Sequence, residues 1–224
     1  MTKKELFKRY TLFIISLLFI GVGIALAKHA ELGISPISSV PNVFYIRFGN
    51  DGLLSIGNFL ILFNFLMLIA QVIILRKRFQ PIQFLQIPLS IFYGQFTNLA
   101  LIPVSNIPVD FFVNKELSSF ALVSCSVIVL GFGISLGVLA NVLLNSPEAL
   151  IKAISDVTGK NYGNVKVTFD ICWVAFAAIL GLIFGGGSLK AIGIGTLFIA
   201  LTVGFIVKFF KKLLDRPLTK LLTK

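Results

Sequence analysis

Asp170 is the residue best able to do chemistry in this chain. It lies within an apolar stretch at about 168–184, where a carboxylate is costly unless it is paired, protonated or wet. Such a group can bind a proton or cation and couple it to a solute. Its structural alternative is an ion pair with Lys166, four residues earlier. Amides stand in or beside apolar runs at Asn58, Asn64, Gln71, Gln83, Gln86, Gln95, Asn98, Asn141, Asn145 and Asn164. In hydrocarbon each must hydrogen-bond to something. As a set they predict a polar lumen, although helix–helix bonding is the plainer role of any single one. Ser35-Pro36 and Ser146-Pro147-Glu148 read as helix starts, with Ser as cap and Pro as first helical residue. The free N–H groups and dipole at such a start favour an anion or polar substrate group. Thr196, after Gly193-Ile-Gly195, stands near the start of the last apolar run.

The elements that must position these residues follow from composition. Of 224 residues, 57% are hydrophobic and only 13% charged, too little charge to cover a water-soluble surface. The net charge of +11 sits at the ends of apolar runs with no interleaved stacking aromatics, which argues against nucleic acid. Cys125 and Cys172 fall inside apolar runs and read as two buried free thiols. Neither has a ligand-like neighbour, so no metal and no cofactor are expected. There is no Walker A loop, zincin helix, nucleophile elbow or Cys/His/Asp triad, and no enzyme is expected.

Apolar runs long enough to cross ~30 Å of hydrocarbon fall at about 10–27, 53–75, 79–103, 118–144, 168–184 and 189–210. Six spans place 16 Lys and Arg on one side and four on the other, namely Lys28, Arg47, Lys115 and Lys190. That asymmetry predicts both termini in the cytoplasm. The first run could be mistaken for a secretory signal ending in Ala25-Leu26-Ala27, but its 18 residues exceed the usual ~7–15. The tail 208–224 is basic and amphipathic and is expected against the anionic inner leaflet. His29, beside Lys28, is expected at the outer, solvated edge.

The two halves also match each other. Gly21-Val-Gly23 aligns with Gly131-Phe-Gly133 at an offset of 110, Pro36 with Pro147 at 111, and Gly94 with Gly204 at 110. Gly57-Asn58 and Asn64 align with Gly163-Asn164 and Asp170 at 106. Three spans per copy, an odd number, make the repeat inverted. The expected fold is therefore all-α and polytopic, in a single membrane domain. It has six transmembrane helices as two inverted three-helix repeats, about 10–103 and 118–210. Each carries, after its first span, a short helix that is either re-entrant or interfacial. The turn at Gly185-Gly186-Gly187 separates the fifth and sixth spans.

The chain resembles the YczE-like branch of the YczE/YyaS/YitT group of bacterial membrane proteins. The resemblance is carried by Gly23-Ile-Ala-Leu, Leu32-Gly-Ile-Ser-Pro36, Gly133-Ile-Ser-Leu-Gly137, Thr158-Gly-Lys-Asn-Tyr-Gly163, and Ile192-Gly-Ile-Gly-Thr196 with Gly204. It departs at Ile37-Ser38, where an acidic or aromatic residue is usual, and at Leu85-Gln86, where a Gly-Thr turn is usual. The resemblance implies a multi-pass protein of the bacterial cytoplasmic membrane; it names no activity.

The expected function is a small-solute permease, coupled to protons or sodium, with alternating access between the repeats. Its pathway would be lined by Asp170, Asn164, Asn58, Asn64, Asn145, Gln86, Thr196 and the starts Ser35-Pro36 and Ser146-Pro147. Expected partners are the bilayer, a small-molecule or ion substrate, and either a second copy or a partner subunit. The alternatives are a substrate-binding subunit of an energised complex and a non-transporting accessory protein.

Overall fold

The computed structural model describes residues 2–50, 52–108, 114–184 and 192–223. Among them the only regular structure is helical: α1 Lys3–His29, α2 Pro36–Phe48, α3 Ile56–Leu75, α4 Gln86–Ser105, α5 Lys115–Ala140, α6 Ser146–Thr158, α7 Tyr162–Ile183 and α8 Ile194–Thr223. Short 3₁₀ turns, Arg76–Arg78 and Pro81–Leu85, join α3 to α4. The Gly185-Gly186-Gly187 turn lies outside the described residues.

Five helical stretches are long and apolar enough to cross a membrane: Lys3–His29, Ile56–Arg78, Pro81–Ser105, Lys115–Ala140 and Tyr162–Ile183. Their outward faces carry large apolar side chains such as Leu66, Ile73, Ile128, Ile171 and Leu182. In water such a surface would aggregate; in lipid it is solvated. The chain is a multi-pass membrane protein.

α1 forms the centre. Its buried Phe13, Leu17, Ile20 and Ile24 recur at helical spacing and pack on Leu122, Val123, Val127 and Leu130 of α5. Its other side lies against α4. Lipid provides little hydrophobic drive between helices, so close packing has to hold them. Small residues allow it: a side chain at Gly21 would meet the α4 backbone at Thr97 N, 2.9 Å away.

Several boundaries differ from the sequence expectation. α5 stops at Ala140 rather than 144 because Asn141 is left-handed (φ 49°), a conformation Asn tolerates better than most residues. α7 begins at Tyr162, six residues before the expected 168, with the Asn161 side chain capping Gly163 N. The α6 cap is Asn145, and Ser146 is already helical. The basic tail continues α8 without a break, and Lys8 Nζ donates to Leu221 O at 3.0 Å. Both ends of the chain therefore meet at one end of the bundle.

The two cysteines are free but exposed on α5 and α7. This corrects the expectation of buried thiols: both lie on the outer surfaces of their helices. His29 is not simply solvated either, since Nε2 lies 2.7 Å from Ile107 O and ties α1 to the segment after α4.

Candidate functional site

The two short helices begin inside the bundle. α2 starts at the middle of α7, where Trp173 Nε1 donates to Ile37 O at 2.9 Å. The chain has a local reason for this bond. Ile37 O would ordinarily accept from the amide four residues on, but that residue is Pro41, within the helix and lacking an N–H. Trp173 supplies the missing donor. From there α2 runs toward the far end of α7, where Phe44 and Phe48 pack on Phe184 at centroid distances of 5.5 and 5.3 Å.

α6 begins against helices of the first half of the chain in a comparable way. Gln71 Nε2 donates to Ser146 O at 3.0 Å and to Gln86 Oε1 at 3.1 Å. Gln86 Nε2 donates back to Gln71 Oε1 at 3.0 Å. Ser90 Oγ lies 3.4 Å from Ser146 Oγ. All four residues are buried, so the amides hold α3, α4 and the start of α6 together where water cannot substitute.

Tyr93 of α4 links the two starts. Both Ser38 in the first turn of α2 and Glu148 in the first turn of α6 lie within electrostatic reach of its buried hydroxyl. Ser35 Oγ donates to the same Ser38 at 2.9 Å. Two helix N-termini thus converge on one phenol. Buried Asn42 Oδ1, one turn beyond Ser38, and Glu148 Oε2 have no hydrogen-bond partner among the described residues.

A cavity of about 500 Å³ opens beside this cluster. Its wall includes Leu75, Gln83 and Gln86 from the first half, and Asn141, Ala149, Lys152 and Asp156 from the second. It lies at the end of the bundle that carries the termini, because Arg9 Nη1 donates to Ala140 O at 3.0 Å, beside the Asn141 wall.

The expected site residues separate into groups. Ser146, Pro147, Asn145 and Gln86 meet at the α6 start, and Ser35 and Pro36 lie at the α2 start. Asn64 is buried between α3 and α4, lining a void of about 90 Å³ with Ser90. Thr196 is buried in the first turn of α8, which docks on the residues before α2 through Gly195 N to Leu32 O at 2.8 Å. Asn58 and Asn164 do not join them. Asn58 bonds Leu53 O and Gln95 at one end of the bundle, and Asn164 is exposed in the first turn of α7. Asp170 takes the structural alternative, an ion pair with Lys166 at 3.2 Å.

Tyr93, Trp173 and Glu148 were not singled out from sequence as site residues. The Ile37–Pro41 spacing signals an orphan carbonyl, but not which donor satisfies it.

No curated protein and no solved structure matches the chain. A family pattern matches residues 7–212. That match covers most of the chain, which belongs to DUF6198, a family of unknown function.

Proposed function

We propose that this protein is a small-solute permease of the cytoplasmic membrane, with six spans in two inverted three-helix repeats and both termini in the cytoplasm. The observation that carries the reading is the cavity of about 500 Å³. It is walled by both halves and lies beside the start of α6, one of two short helices that begin within the bundle. Broken helices at a repeat interface are the usual setting of transporter sites, and a non-transporting accessory protein has no need of such a cavity. Solute entering from the terminal end would pass Gln86 toward Ser146-Pro147, Tyr93 and Ser35-Pro36, with Asp170 and Asn64 flanking the path. The α8 stretch 194–207 carries no charged residue before Lys208 and supplies the sixth span.

Reciprocal contacts support the inverted repeat. Gly23 of α1 lies against Leu130 of α5, and Gly133 of α5 lies against Ile20 of α1. Gly21 lies against Phe96 of α4, and Gly131 against Ile206 of α8. Each second contact joins the counterparts of the first, which stand 110 positions away in the other half of the chain. Of the motifs shared with YczE-like proteins, Gly23-Ile-Ala-Leu lies on α1, Gly133-Ile-Ser-Leu-Gly137 on α5, and Ile192-Gly-Ile-Gly-Thr196 with Gly204 at the start of and within α8, consistent with kinship to that branch.

A thermal-shift screen of purified protein against metabolites, with pH and sodium varied, tests the reading. A ligand at 100 times its dissociation constant stabilises the folded state by ~2.7 kcal/mol. A hit lost in Ala149→Trp, which fills the cavity, and carried into liposomes by the protein alone supports a permease. Flux that requires a co-purifying ATPase-bearing partner would replace it with the energised-subunit reading. An empty screen with folded protein would favour an accessory role.

A further inference from the structure

Glu148 is a half-buried acidic group that the expected pathway left out. It is the third residue of α6, after buried Ser146 and Pro147. Its Oε2 is fully shielded and has no hydrogen-bond partner among the described residues. α6 packs against α3 and α7. α3 carries no ionisable side chain. From α7, Tyr162, Lys166 and Asp170 come within electrostatic reach, and Tyr93 does so from α4. The two cations nearby are already engaged: Lys166 pairs with Asp170 at 3.2 Å, and Lys152 with Asp156 at 3.3 Å.

We infer that Glu148 is a proton-binding site of the pathway, carrying its proton on the buried Oε2. A carboxylate oxygen removed from water without a donor is strongly disfavoured, and a neutral acid is far cheaper there. Ala149, the next residue, and Lys152, one turn on, line the cavity. The proposal deepens the permease reading by assigning the coupling ion, and it moves that role from Asp170, whose charge Lys166 already balances.

Dicyclohexylcarbodiimide tests this without any transport assay, because it modifies protonated carboxyl groups in apolar surroundings. Wild-type protein in lipid is labelled across a pH series and the adducts are mapped by mass spectrometry. The expected adduct is on the Glu148 peptide, falling about tenfold per pH unit above the group's midpoint. It is absent in Glu148→Gln and retained in Asp170→Asn. Labelling of Asp170 in place of Glu148, or no Glu148 adduct at any pH, overturns the proposal. Protection of Glu148 by sodium chloride but not by potassium chloride also overturns it, in favour of a sodium site. Because the wild-type map needs no variant, misfolding of Glu148→Gln does not blunt the test. A positive map combined with no flux in any assay would sink the permease reading alone.

Discussion

Gly57 of α3 and Gly94 of α4 meet backbone to backbone, so that a methyl group added to either would collide with the other's carbonyl oxygen. Their sequence counterparts do not meet. Gly163 of α7 has only its neighbour Asn161 nearby, and Gly204 of α8 has open space. α3 and α4 share an extensive interface, while α7 and α8 have none comparable among the described residues. The halves match in sequence at these positions, yet only one pair is closed.

Alanine substitutions should therefore have opposite signs. Gly94→Ala must push α3 and α4 apart and should cost about 1–3 kcal/mol. Gly204→Ala fills free space in a helix and should stabilise by up to ~1 kcal/mol, the helix-propensity gain of Ala over Gly. Melting temperatures in detergent check both; equal destabilisation would mean that Gly204 packs against something.

The Gln71–Gln86 pair makes a second prediction. Gln71→Leu leaves the Gln86 amide without its partner within the bundle and removes the second donor to the Ser146 carbonyl, and should cost about 1–3 kcal/mol. Gln71→Leu with Gln86→Leu should cost less than the sum of the two single changes, because the pair shares its bonds. Strict additivity in a double-mutant cycle would show that the amides act independently.

Trp173 and Pro41 should be coupled in the same sense. Trp173→Phe keeps the stacking on Phe169, at 5.5 Å between centroids, but orphans Ile37 O, at about 1 kcal/mol. In a Pro41→Ala background the restored amide can serve Ile37 O within the helix. There the Trp173→Phe penalty should shrink, read as a smaller loss of melting temperature. An unchanged penalty would assign the role of Trp173 to packing.

Cys125 and Cys172 are exposed at positions well inside α5 and α7, which places them toward lipid. In intact proteoliposomes a charged thiosulfonate should label neither, since a charged reagent does not enter hydrocarbon, and both should label once the protein is unfolded in detergent. Rapid labelling by the charged reagent would place that helix face on water.

The sequence by itself determined the membrane class, because apolar runs of span length with charge confined to their ends have no other stable environment. It also located the starts of α2 and α6, since Ser-Pro and Asn-Ser-Pro are local signals, and it listed the Asp170–Lys166 pair, whose i, i+4 spacing is local too. Symmetry of sequence was a poorer guide to the site. Asn58 and Asn164 align with each other, yet each sits in the first turn of its helix, at an end of the bundle and away from the central cluster. Only the tertiary structure decided which amides are neighbours, because Gln71 finds Gln86 across the turns between α3 and α4 and Ser146 from the other half of the chain. The same holds for the donor that answers Pro41 and for the isolation of Glu148 Oε2. Each depends on where a distant helix comes to rest, and apolar periodicity specifies which face of a helix is buried but not which partner buries it.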